Sequence, residues 1–321
     1  MSPAYKEKVV AMKIATLTMN PAIDKSSAVN QVVAEWKLQC DSPVYEPGGG
    51  GINVSRAIGK LGGDSVAFYP AGGLAGRMLI DLLDREGLQH RAMSIAGVTR
   101  ENFTVLEKST GQQYRFGMPG PTLQKAEWRR CLEEISGLLP QVDYLVASGR
   151  LSPGMPPDFY GQLAKLAREH KTRLIVDTSG EALRLAVAEG VFLIKPNLRE
   201  FAELTGRERV DEQEEEHLAR ELVSTGQSEA VVVSLGAAGV LVASAEGTER
   251  VRAPLVPIKS KVGAGDSTVA GMVLALARGQ SWREAVRFGV AAGAAAVMTP
   301  GTELCRQEDV ERLYKQLMLR G

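Results

Sequence analysis

The stretch Lys259-Ser260-Lys261-Val262-Gly263-Ala264-Gly265-Asp266-Ser267 sets two glycines and a carboxylate directly ahead of an apolar helix. Val269, Met272, Val273, Leu274 and Leu276 follow at helical spacing, so the amides of Gly263, Ala264 and Gly265 are predicted to lie at a helix N-terminus. Free amides and the positive end of the helix dipole favour an anion there. A side chain at either glycine would keep the backbone from closing on a phosphate, and the turn calls for positive φ. Asp266 sits among these donors, where it would repel a phosphate unless aimed at an attacking hydroxyl whose proton it accepts. The same residue also has the chemistry of a helix cap.

A second glycine cluster, Pro47-Gly48-Gly49-Gly50-Gly51-Ile52-Asn53-Val54, leads into a helical pattern through Val54, Ala57, Ile58 and Leu61 that Gly62-Gly63 ends. Such a run is either a flexible linker or a surface on which a sugar lies close to the backbone. Asn53 then offers a hydroxyl both a donor and an acceptor.

Around the two clusters, strands predicted at 13–18, 65–69, 144–148, 173–177, 192–194 and 230–234 alternate with helical patterns. That alternation predicts an α/β fold with a mostly parallel sheet covered by helices on both faces. Tyr144-Leu145-Val146-Ala147 reads as a buried parallel strand whose C-terminal end, at Ser148-Gly149, opens into a site. Segments near 23–45 and 92–116 alternate polar and apolar residues with no helix between, and are predicted to form a small separate sheet. No Pro/Ser-rich linker divides the 321 residues, so the chain reads as one domain, 1–321.

Lys and Arg total 38 and Asp and Glu 38, which removes any electrostatic case for nucleic acid or an anionic membrane. Cys40, Cys131 and Cys305 are odd in number and far apart, as reduced thiols are. His90, His170 and His217 lack partners at metal-ligand spacing. Residues 1–12 have no apolar run with a cleavage site, and no run elsewhere would span a bilayer, so a cytoplasmic location is expected.

The two glycine clusters, in this order and separation, resemble the two signatures of the ribokinase-like, or PfkB, family of sugar kinases. The likeness covers nearly the whole chain. Glu46 to Asn53, with Leu17-Thr18-Met19-Asn20-Pro21-Ala22-Ile23-Asp24 upstream, is most similar to the branch that phosphorylates the 1-hydroxyl of fructose 6-phosphate. Tagatose-6-phosphate kinases and 1-phosphofructokinases usually carry lysine where Gly50 stands. A tagatose-6-phosphate kinase or 1-phosphofructokinase is the nearest alternative, and a non-catalytic sugar-phosphate or nucleotide sensor and a nucleoside kinase are further alternatives on the same fold.

The resemblance implies that Asp266 is the base and that the amides of 263–265 stabilise the transferred phosphoryl. It implies sugar-phosphate binding by Asp24, Lys37, Gly48, Gly49, Gly50, Asn53, Arg100, Arg115 and Ser148. Taken singly, Asp24 reads equally as a turn residue, and the three basic residues as solvated surface. For ATP, the resemblance implies Lys195, Asn197, Ser234, Gly236, Gly239, Lys259 and Ser260. Asn197 and Glu200 would organise Mg²⁺ through water, although the same pair has the spacing of a capping box. A small sheet that acts as a lid and as the contact of a homodimer, and a dependence on a monovalent cation such as K⁺, are also implied. Arg150 and Lys261 depart from the family pattern, Arg150 facing either an acidic ligand or solvent, and Lys261 pairing with either phosphate or a nearby acid.

Overall fold

The computed structural model describes residues 13–319. The leader reading of residues 1–12 lies outside the described residues, as do the last two positions of the predicted domain. From β1 (Ile14–Leu17) the chain runs out through β2 (Ala22–Val29) and β3 (Val44–Gly48), then returns by α1 (Gly50–Lys60), β4 (Val66–Ala71), α2 (Gly73–Arg85) and β5 (Gln89–Ser94). A second excursion makes β6 (Arg100–Glu107) and β7 (Gln113–Phe116). The chain continues with α3 (Lys125–Leu138), β8 (Tyr144–Ser148), α4 (Phe159–Glu169), β9 (Arg173–Asp177), α5 (Gly180–Ala188) and β10 (Val191–Ile194). After α6 (Leu198–Leu204), α7 (Glu212–Ser224), β11 (Ser228–Ser234), β12 (Val240–Ser244) and β13 (Gly247–Val251), the described chain closes with α8 (Ala264–Ala277), α9 (Trp282–Ala296) and α10 (Gln307–Leu319).

The large sheet has the order β13-β12-β11-β10-β9-β8-β1-β4-β5 and is parallel except at β12 and β13. Its central strands are apolar runs because both faces are covered. In β8, Leu145 and Ala147 join a core with α3, α4, α5 and α7, while Tyr144 and Val146 join one with α1, α8, α9 and α10. Burying each large aliphatic side chain of this kind contributes roughly 1.5–3 kcal/mol. Asp211 caps α7 by accepting from the amides of Gln213 and Glu214.

The small sheet, β3-β2-β6-β7, is separate, as expected. Its limits differ from the predicted ones. Residues 92–94 pair in parallel with Tyr69–Ala71 and belong to the large sheet, while Ala22 and residues 46–48 belong to the small one. The sequence 89–94 is polar enough to pass for a lid strand because β5 is an edge. All three cysteines are free thiols, and among the described residues no helix is long and apolar enough to cross a membrane.

α8 is apolar all round and buried from Ser267 to Ala275. It packs on α9 through glycines. A Cβ at Gly271 would lie 2.9 Å from the Gly289 Cα, one at Gly289 2.7 Å from the Thr268 carbonyl, and one at Gly293 3.1 Å from the Ala264 carbonyl. Backbone thus meets backbone, and the first turn of α8 cannot shift. Gly289→Val is expected to lower stability by about 1–3 kcal/mol, read as a lower urea midpoint with unchanged slope. An unmoved midpoint would mean that the helices have room to part.

Candidate active site

Both glycine clusters arrive at the C-terminal edge of the parallel strands, where open α/β sheets form their clefts. Gly263, at φ +76°, is the residue before α8, and Gly49, at φ +117°, is the one before α1. Only glycine adopts such angles without strain. The other glycines are required by contact. A Cβ at Gly48 would lie 2.5 Å from the Asp24 Oδ2, one at Gly50 2.9 Å from the Ser148 carbonyl carbon, and one at Gly51 2.5 Å from the Leu17 carbonyl. The run is therefore a wedge fixed between the ends of β1 and β8, not a linker.

Asn53, buried on α1, donates from Nδ2 to the Asp266 Oδ2 at 2.9 Å. Two residues distant in sequence thereby meet in the first turn of α8. Lys195, just beyond β10 and 6% exposed, pairs with Asp177 at 3.3 Å, and a Cβ at Gly265 would touch its Nζ at 3.3 Å. Burial, then the charge of Asp177, push the Asp266 carboxyl up to about 6, with Asp24 adding to the rise. The Asn53 hydrogen bond and Lys195 pull the other way. Burial by itself would lower Lys195, but Asp177, Asp266 and Glu200 outweigh it and hold the ammonium above its ordinary range.

Asp24 faces Asn102 across the parallel β2–β6 pair and accepts from its Nδ2 at 2.8 Å. Arg100 is committed to backbone, donating to the carbonyls of Asn20, Pro21 and Met118. Burial first lowers its guanidinium from the ordinary value. Asp24 opposes this, and the like charge of Arg150 reinforces it. Arg150 itself is exposed. Lys37, in the β2–β3 connection, and Arg115, on the β7 edge, are exposed and their side chains make no hydrogen bond or ion pair among the described residues, so this chain does not draw them into the cluster.

On the other side of the cleft, Asn197 and Glu200 do form the capping box of α6. The Asn197 side chain accepts from the Glu200 amide at 3.0 Å, and the Glu200 Oε2 accepts from the Asn197 amide at 2.9 Å. One oxygen of each is thus taken, which fits contact with a hydrated cation better than direct ligation. Ser234 ends β11 beside Asn197. Gly236 (φ +61°) and Gly239 (φ +104°) shape the turn into β12, and Gly239 is also held tight against the Val251 carbonyl. The amides of Lys259 and Ser260 donate to the Val297 carbonyl, which ties the loop before α8 to the end of α9. Lys261 is exposed and forms no ion pair among the described residues. Among the described residues no group of three or more His, Cys, Asp or Glu is arranged to hold a metal.

Two members of the cluster escape a reading of the sequence. Asp177 is one acid among 38, marked only by its place at the end of a buried strand. Arg56 looks like an ordinary helix cation, yet it is 4% exposed and reaches the Asn53 side chain.

The model of the pfkB family carbohydrate kinases matches residues 13–309. An ATP-dependent 6-phosphofructokinase isozyme 2 of Mycobacterium tuberculosis is 46% identical over 303 residues, 94% of this chain and 89% of the relative. The crystal structure of Escherichia coli phosphofructokinase-2 with potassium superposes with a TM-score of 0.92 at 42% identity, covering 96% of this chain and 99% of that one. Its complex with fructose-6-phosphate gives 0.90 over the same shares. The fold is thus shared along almost the whole length, and the chain belongs to the pfkB family of carbohydrate kinases.

Proposed function

We propose that the chain is an ATP-dependent kinase that phosphorylates the 1-hydroxyl of fructose 6-phosphate, giving fructose 1,6-bisphosphate and ADP. The observation that carries this reading is Asp266, held by Asn53 in the first turn of α8 next to three amides and Lys195. A carboxylate with a pKa of about 6 is ionised at neutral pH and basic enough to take a proton late in the transfer. Asp266 accepts the proton of the attacking hydroxyl as the new P–O bond forms and the bond to the leaving ADP oxygen breaks. The amides of Gly263, Ala264 and Gly265 and the Lys195 ammonium carry the charge that spreads over the phosphoryl oxygens. Asp24 and Asn53 orient the sugar hydroxyls, and the backbone of Gly48, Gly49 and Gly50, with Ser148, forms the floor beneath the ring. The names of the relatives with which this fold is shared support fructose 6-phosphate as acceptor.

In this reading ATP lies along Lys195, Asn197, Ser234, Gly236, Gly239, Lys259 and Ser260. Mg²⁺, held through water by Asn197 and Glu200, supplies neutralisation of phosphate charge, and K⁺ is the expected monovalent cation. The chain is one domain, 1–321, working in the cytoplasm. Its small sheet closes over the sugar, excludes water and pairs with a second copy. Exposed Val44 and Phe116 on that sheet, and Trp36 in its β2–β3 connection, support a homodimer there. Lys37 and Arg115, remote from the cluster in a single chain, serve the sugar phosphate only when the sheet closes.

The test is ADP release with Mg²⁺ and ATP across fructose 6-phosphate, fructose 1-phosphate, tagatose 6-phosphate, ribose and adenosine. The expected result is a specificity constant at least about tenfold higher for fructose 6-phosphate than for any other acceptor, a difference of 1.4 kcal/mol in transition-state binding. A preference for tagatose 6-phosphate or fructose 1-phosphate would move the acceptor assignment. No turnover with any of them would leave a sensor.

A further inference from the structure

Arg56 stands three residues after Asn53 on α1, one helical turn further along the same face. It is the most heavily bonded side chain near the cleft. Nε and Nη2 hold both oxygens of Glu86 at 2.8 Å, and Nη2 lies 3.8 Å from Glu46. Nη1 donates to the Pro47 carbonyl at 3.2 Å, to the Thr302 carbonyl at 3.2 Å and, in a long contact of 3.5 Å, to the Asn53 Oδ1. Pro47 leads into the glycine wedge. Thr302 belongs to the α9–α10 connection, whose Leu304 presses on Gly263, the residue before α8. One guanidinium thus touches the wedge, the partner of Asp266 and the loop backing the anion-binding turn.

We infer that Arg56 is a positioning residue for the phosphoryl-transfer base, acting through the amide of Asn53. An Asn side chain presents an acceptor at one end and donors at the other, and only one of its two orientations turns Nδ2 to Asp266. A cation 3.5 Å from Oδ1 favours that orientation, because the flipped amide would bring two donors together. Arginine is needed for its fork. Three Nη1 contacts and a bidentate carboxylate require a planar group with five donors, and an ammonium would keep the charge while losing most of the geometry. Glu86 and Glu46 balance the buried charge, which leaves orientation as the effect exerted on Asp266.

The inference rests on Asp266 being the base, and its test has a readout that needs no turnover. Asp266 is faced by Asn53, Lys195, Asp177 and Asp24. Of these, Arg56→Lys disturbs only Asn53. The carboxyl of Asp266, followed by ¹³C NMR against pH in the unliganded protein, is expected to titrate roughly one unit higher in Arg56→Lys than in the natural chain. Asn53→Ala should move it equally, and the double variant no further. In turnover, Arg56→Lys should lose about tenfold in kcat with KM for ATP nearly unchanged, and its acid limb should move to higher pH. Glu86→Gln, which gives up one of the two Glu86 hydrogen bonds but leaves the Nη1 contacts in place, should retain the native titration and so separate positioning from lost stability. An unmoved Asp266 titration in folded Arg56→Lys would overturn the inference. A wild-type chain with no turnover on any sugar phosphate would instead sink the kinase reading, with the NMR result still deciding the role of Arg56.

Discussion

Asp266→Asn is expected to give a folded protein that binds ATP and sugar phosphate but turns over roughly 10²–10⁴-fold more slowly, the range for a positioned base. Its stability should move the opposite way. The native-state pKa of about 6 lies above the ordinary 3.8, so between these values the folded chain holds a proton that the unfolded chain has released. Stability therefore falls as pH rises from about 4 to about 6, and at pH 7 the ionised carboxylate costs on the order of 3 kcal/mol. Asn removes that charge. The variant should unfold at higher temperature at pH 7, and this advantage should vanish near pH 4. A helix cap would give the reverse, since losing its charge at the N-terminus of α8 weakens the helix with little effect on rate. In the natural enzyme, kcat should rise with pH through about 6 and then level. A flat profile down to pH 5, with near-normal turnover of the Asn variant, would reduce Asp266 to a cap.

Lys195→Met should cost about 10²–10³-fold in turnover, the scale for removing one preorganised charge from a phosphoryl-transfer site. Part of that loss should be recoverable with alkali. Lys195 pulls the Asp266 pKa down, whereas Asp177 and Asp24 push it up, so without the ammonium the base titrates at higher pH and the acid limb of kcat moves upward. Asp177, whose side chain is 15% exposed, also loses its partner, which destabilises the fold by about 1–3 kcal/mol. Adding Asp177→Asn should restore much of the stability and little of the rate. If the double variant recovered both, Lys195 would be only the counter-ion of Asp177.

The sequence was legible where burial or close approach left no choice. β8, β9 and β10 had to be apolar runs because helices cover both sides. Gly48, Gly50 and Gly51 had to be glycines because Asp24, Ser148 and the Leu17 carbonyl occupy the space of a side chain. Edges were not legible. β5 is polar along one side, and β13 buries only Val251, so neither carries an apolar period. The turn between β12 and β13, Ala245-Glu246, also lacks the Asn-Gly or Asp-Gly signal of a tight hairpin. Charged residues were the hardest. Nothing in the local sequence separates buried Arg56 from exposed Lys37 and Arg115, because what distinguishes them is the carboxylates and carbonyls gathered from Glu46, Pro47, Glu86 and Thr302.

The parallel pairing of β2 with β6 bears on how the chain is assembled. Parallel neighbours need a crossover, and here it is α1, β4, α2 and β5, elements that belong mostly to the other sheet. During synthesis β2 can find β3 early, but β6 emerges only after β4 and β5 are available to dock beside β1. Asp24 and Asn102, set opposite one another by that register, cannot come together until the chain has been made through β6, while β8, β9 and β10, the middle of the large sheet, are made later still. Closing so long a loop costs entropy that a hairpin does not, so the β2–β6 pair, and with it the Asp24–Asn102 contact, is expected to form after the β2–β3 pair.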